Sequence, residues 1–82
     1  MWTVYIVRCA DRSLYTGIAK NVEERISLHN TGRGAKYTRS RLPVELVYSE
    51  SVENRATALR REFVIKRLER EGKKKLIESC PD

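Results

Sequence analysis

Five side chains have the types and spacing to do chemistry together: Tyr5, Tyr15, Arg25, His29 and Glu62. A tyrosine hydroxyl can orient or deprotonate a water, although at its ordinary pKa of about 10 it is a poor base until a cation lowers it. Arg25 carries a planar guanidinium that fits two oxygens of a phosphate. His29, the single histidine, could serve as a base or as a donor to a phosphate. Glu62 offers the hard oxygen that a divalent cation prefers. Each residue also has an ordinary role. Strand tyrosines pack in cores, an exposed helix arginine is a solvated charge, and a histidine near a helix C-terminus interacts with the dipole. A lone glutamate snorkels or pairs, here with Lys66 or Arg55.

Trp2 to Cys9 is β-branched and aromatic on both faces, which suits a strand covered on both sides. Ala10 to Ser13 reads as a turn and Leu14 to Ile18 as a returning strand, with Gly17 permitting close backbone approach. A two-residue loop at Asp11-Arg12 would put Tyr5 and Tyr15 on opposite faces. A three-residue loop, Asp11 to Ser13, puts both on one face, as two tyrosines serving one site require. That is the loop we expect.

Asn21 and Glu24 form a capping box for a first helix. Val22 and Ile26 make its apolar stripe, Arg25 and His29 a neighbouring one, and Asn30-Thr31-Gly32 ends it. Gly32 to Arg41 reads as a basic loop with Arg33, Lys36, Arg39 and Arg41 around Tyr37. Cations around an aromatic hold single strands or splayed bases, and a solvated surface loop is the alternative. Val44 to Glu50 reads as a third strand with Val44, Leu46 and Tyr48 alternating. Asn54 caps a second helix expected to reach about Glu71, with Ala58, Leu59, Phe63, Ile65 and Leu68 as its core stripe and Glu62 inside it. Gly72 is expected to break that helix. Lys73 to Glu78 forms a short last one, with Leu76 and Ile77 packing and Pro81 ending it. The expected fold is α+β, a three-stranded antiparallel sheet flanked by helices in β-β-α-β-α-α order, as one domain over residues 1–82.

The balance of 17 Lys plus Arg against 11 Asp plus Glu, a formal +6, favours a polyanionic partner. Cys9 and Cys80 make neither a disulfide framework nor a metal pattern, which fits a reducing compartment. The apolar start is cut off at Arg8, too short for a signal sequence or a membrane span. A cytoplasmic location with no membrane partner is expected.

The spacing as a whole resembles the GIY-YIG nuclease superfamily, within it the small bacterial UPF0213-like branch. Val4-Tyr5-Ile6 stands at the first half of the motif and Tyr15-Thr16-Gly17 at the second. Arg25, ten residues after the second tyrosine, His29, and Glu62 within Leu59-Arg60-Arg61-Glu62 match the remaining positions. Val4 stands for the family glycine and Thr16 for its isoleucine, and no asparagine follows Asn54, where many members carry one. The resemblance implies a metal-dependent endonuclease that hydrolyses phosphodiester bonds in DNA, in repair or in processing of unusual DNA structures, with RNA also open. Glu62 would hold one Mg2+ or Mn2+, Tyr15 would activate water with Tyr5 and His29 assisting, and Arg25 would stabilise phosphate charge. Lys20, Arg33, Lys36, Tyr37, Arg39 and Arg41 would contact nucleic acid. The alternative is a weakly active or non-catalytic binding module or repair adaptor of the same fold.

Overall fold

The computed structural model describes residues 1–79, so the expectations placed on Cys80 and Pro81 lie outside the described residues. The elements are β1 (Trp2–Arg8), β2 (Leu14–Ala19), α1 (Val22–Asn30), α2 (Lys36–Arg39), β3 (Glu45–Val52), α3 (Arg55–Lys66) and α4 (Arg70–Glu78). The antiparallel sheet runs β2-β1-β3, with β1 in the centre. The expected order holds, with one addition. The basic segment is not all loop, because Lys36–Arg39 closes into a helical turn.

β1 pairs with β2 so that Tyr5 faces Gly17, Val7 faces Tyr15 and Arg8 faces Leu14. The Cys9 N–H donates to the Ser13 carbonyl at 2.9 Å and encloses Ala10 to Arg12. The loop therefore has three residues, as expected, but begins one position earlier. Moving both ends of the loop together keeps the parity, so Tyr5 and Tyr15 share a face. Arg12 closes the turn at φ 72°, the left-handed residue that a three-residue hairpin needs.

Central β1 is buried on both sides because the two faces of the sheet carry separate apolar clusters. Tyr5, Val7, Cys9, Ala19 and Val44 pack with Val22 and Ile26 of α1 on one face. Val4, Ile6, Ala58 and Ile65 pack with Leu76 and Ile77 of α4 on the other. The expected alternation of Val44, Leu46 and Tyr48 fails at a bulge. Ile6 faces Tyr48 while Val7 faces Leu46, so Val47 is an extra residue. An inserted residue switches side-chain parity. Val44 joins the α1 face, Val47 and Tyr48 join the α3 face, and Leu46 is left exposed.

The second helix is also shorter than expected. α3 ends at Lys66 and Gly72 lies inside α4, so the break falls at Arg67 to Glu69. Its buried stripe is Ala58 and Ile65, with Arg61 and Glu62 half-buried between them. Leu59, Phe63 and Leu68 are exposed, Phe63 at 61%. Arg61 anchors the helix to β3, donating from Nε to both oxygens of Glu50 at 3.1 and 3.0 Å, while the Tyr48 hydroxyl donates to the same carboxylate. That tie fixes the turn from which Glu62 projects.

Candidate active site

Helix α1 begins where the Asn21 side chain accepts the Glu24 N–H at 3.0 Å. It ends in a Schellman motif: the Gly32 N–H donates to the His29 carbonyl and the Arg33 N–H to the Leu28 carbonyl, both at 3.0 Å, with Gly32 at φ 82°. The Asn30 side chain accepts the Val44 N–H at 2.8 Å and donates to its carbonyl at 3.2 Å. Both ends of α1 are thereby held, and the helix presents His29 to the sheet.

His29 is fully buried. Its Nε2 lies 3.0 Å from the Tyr5 hydroxyl and its Nδ1 2.8 Å from Thr38 Oγ1. The Thr38 hydroxyl donates its single proton to the Ala35 carbonyl at 2.9 Å. It must therefore accept from Nδ1–H, which leaves Nε2 to accept from the Tyr5 hydroxyl. The partners thus assign the tautomer. Burial, reinforced by the charge of Arg25, pushes the His29 pKa down, so the ring is neutral near pH 7. Burial also raises the Tyr5 pKa, against the lowering effect of the Arg25 guanidinium beside its hydroxyl, so Tyr5 keeps its proton.

The Tyr15 ring meets His29 edge-on at 5.6 Å between centroids and stacks on Tyr37 at 5.9 Å and 21°. Two glycines make this packing possible. A Cβ on Gly17 would lie 2.6 Å from the Tyr5 hydroxyl oxygen and 2.8 Å from Cζ. A Cβ on Gly34 would lie 2.2 Å from His29 Nδ1 and 2.8 Å from its Cα. Neither neighbour can yield without moving the His29–Tyr5 contact.

Glu62 reaches the same cluster from α3. Its side chain is 18% exposed and pairs with Lys66 at 3.3 Å, and its charge adds to the forces that raise the Tyr5 pKa. Lys66 Nζ lies 5.8 Å from the centre of the Tyr15 ring. Arg55, the other possible partner of Glu62, sits over Trp2 instead. Among the described residues no group of three His, Cys, Asp or Glu side chains could hold a metal. The donor set is one carboxylate, which suits magnesium's habit of keeping several waters. The half-exposed Lys66 would have to swing off it.

The basic segment divides into two parts. Arg41 donates to Asp11 at 2.9 Å and to the Tyr37 carbonyl at 2.6 Å, and its guanidinium carbon stands 4.0 Å from the Tyr37 ring centre. Of the four cations expected around Tyr37, Arg41 thus stands over the ring while also engaged with the protein itself. Arg33, Lys36 and Arg39 are exposed and, among the described residues, form no ion pair. Lys20 lies at a shallow depression of about 440 Å³ shared with Trp2, Asn21, Glu24 and Arg25. Sequence reasoning missed Thr38 and Gly34, which hold His29, and it named Lys66 only as a possible partner of Glu62. Nothing in the local pattern marks Thr38, since its partner lies on the preceding helix.

A sheet that gathers two tyrosines on one face, with an arginine and a histidine from the next helix and a glutamate from a later one, defines a class. The chain belongs to the GIY-YIG family, its residues 1–76 matching the GIY-YIG catalytic domain. That membership places it in a family of nucleases acting on nucleic acid. Within the family it is similar to the UPF0213 proteins. It is 56% identical over 75 residues to one from Staphylococcus haemolyticus, covering 92% of each chain. To one from Staphylococcus saprophyticus it is 55% identical over 74 residues, covering 90% of each. The solution NMR structure of a UPF0213 protein from Bacillus halodurans superposes with a TM-score of 0.61 at 42% identity, over 95% of this chain and 84% of that one. No helix among the described residues is long and apolar enough to cross a membrane.

Proposed function

We propose that the protein is a metal-dependent endonuclease that hydrolyses phosphodiester bonds in DNA, acting on branched, damaged or single-stranded substrates in repair or processing. The observation that carries this reading is the His29-centred cluster, in which the Tyr5 hydroxyl donates a hydrogen bond to a neutral imidazole whose other nitrogen is held by Thr38. With its proton directed at Nε2, the Tyr5 oxygen keeps lone pairs toward the Arg25 guanidinium beside it. The Tyr15 hydroxyl makes no side-chain hydrogen bond among the described residues, so it is available to position a water. Arg25 stands by to stabilise charge that builds on the phosphate. Glu62 would hold one Mg2+ or Mn2+, and the bound ion supplies Lewis-acid polarisation of a phosphate oxygen.

Labelled single-stranded, duplex, flap and branched DNA, with RNA alongside, test the reading in magnesium or manganese. Wild type is expected to yield products, with rates falling by roughly 100-fold or more in Glu62→Gln and Tyr15→Phe. Equal cleavage by wild type and both variants would remove the assigned site. A second reading, a binding module that does not cut, is favoured by the Lys66 amine already seated on Glu62. It predicts salt-sensitive binding without products, unchanged in Glu62→Gln.

A further inference from the structure

The face of the sheet opposite Tyr15 carries a groove that the proposed chemistry does not use. It lies between the β1–β2 hairpin and α4, encloses about 300 Å³, and is lined by Arg8, Arg12, Leu14, Arg70, Lys74, Ile77 and Glu78. Four cations against one carboxylate leave the lining at +3 (4 − 1), whereas the larger depression beside Arg25 has two cations and one carboxylate, or +1 (2 − 1). Leu14 precedes Tyr15 in the strand, and successive side chains point to opposite faces. The groove and the tyrosine cluster therefore lie back to back across one end of β2.

Its walls are held in place before any ligand arrives. Arg70 donates to the Arg12 carbonyl at 2.9 Å and ties α4 to the tip of the hairpin. The tip is stiffened by Asp11, which accepts from the Ser13 N–H at 3.0 Å and pairs with Arg41 at 2.9 Å. Arg8 has only a loose, exposed pair with Glu45 at 3.6 Å. Arg12 and Lys74 pair with no carboxylate among the described residues. Leu14 and Ile77 supply apolar surface between the charges. Cations spaced around an apolar strip suit a sugar-phosphate backbone, in which charged phosphates alternate with weakly polar sugars.

We propose that this groove is a second phosphodiester-binding site, occupied by a second strand or arm of the nucleic acid whose scissile phosphate lies at the tyrosine cluster. The proposal rests on the nucleic-acid reading above and narrows its substrate class. A straight single strand cannot follow both faces of the sheet at once, whereas a fork or flap can place one arm on each.

Binding is measured with the full chain and no divalent ion, so that the result does not depend on cleavage. The probes are a fluorescein-labelled forked DNA and a labelled single strand of the same total length, titrated over a range of salt. Wild type is expected to prefer the fork. The double variant Arg12→Glu/Lys74→Glu should lose at least about 10-fold in fork affinity, and its salt slope should fall by about two, one for each phosphate contact removed. Lys74→Glu alone should fall in between, and an unchanged thermal midpoint shows that it is folded. Equal affinity and slope in wild type and variants would overturn the proposal, as would a wild type that binds no fork. An amide-resolved titration with inorganic phosphate separates the sources. Saturable shifts at Leu14 and Ile77 with phosphate but none with the fork would mean a free phosphate ligand and would also overturn it. Failure of cleavage in the nuclease assay leaves this binding result standing.

Discussion

The two faces of one sheet are built on different physics. On the α1 face the centre is a chain of directional contacts from buried Tyr5, His29 and Thr38 to the half-buried Ala35 carbonyl. On the α3 and α4 face the buried centre is aliphatic, Val4, Ile6, Ala58 and Ile65, with its polar ties, Arg61 to Glu50 and Arg70 to the Arg12 carbonyl, at the margin. Apolar packing is proportional to area and tolerates small rearrangements. A buried hydrogen-bonded chain tolerates none, because a lost partner leaves a polar group unsatisfied. The proposed chemistry draws Tyr5, Tyr15, Arg25 and His29 from the intolerant face and only Glu62 from α3.

The largest expected effect falls on the tolerant face. Ile65→Ala should cost about 2–5 kcal/mol in urea unfolding, yet where the variant remains folded, the imidazole NMR signals of His29 should be unmoved. Displaced signals would show the two faces to be coupled. Thr38→Val is next, at about 1–3 kcal/mol, since it strands the Nδ1–H of a buried ring. Thr38→Ser should restore both the stability and the Nδ1–H tautomer seen in nitrogen-15 spectra. If valine costs nothing and leaves the tautomer in place, the chain does not orient His29.

The pH dependence has the same origin. Because the folded His29 holds its proton less tightly than the ordinary value of 6.5, the unfolded chain takes up protons first as pH falls. Its contribution is complete above about pH 6.5 and is lost as pH drops toward the lowered folded value. Urea midpoints between pH 7 and pH 5 should decline in wild type and decline less in His29→Gln. Equal declines would assign the loss to other groups.

The smallest effect has the opposite sign. Thr16 Oγ1 is buried without a partner among the described residues, so Thr16→Val should stabilise the chain by about 1 kcal/mol. A destabilised variant would mean that the hydroxyl has a partner.

What could be read from the sequence was what depends on local periodicity. The two tyrosines share a face because hairpin parity follows from loop length. Asn54 caps its helix, accepting the Thr57 N–H at 2.9 Å, as its chemistry suggests. Glu62 lies within the stripe of α3 as expected, but Leu59 and Phe63 were misread as core because they are more apolar than Arg61, which faces inward, held by Glu50. The Arg61–Glu50 pair joins α3 to β3 and overrules hydropathy, and no window confined to the helix contains it. The bulge at Val47 and the capture of His29 by Thr38 were hidden for the same reason, since each depends on a partner in another element.

That bulge has a consequence for how copies of this chain meet. β3 forms one rim of the sheet, and a rim of free N–H and C=O groups is a template for strand addition and aggregation. The extra residue at Val47 puts the two halves of this rim out of step. A foreign strand that zips onto Ser49 to Val52 would lose its pairing before Glu45, so its growth along the rim stops after a few residues. The same kink that turns Tyr48 toward α3 therefore acts as a guard against fibrous self-association.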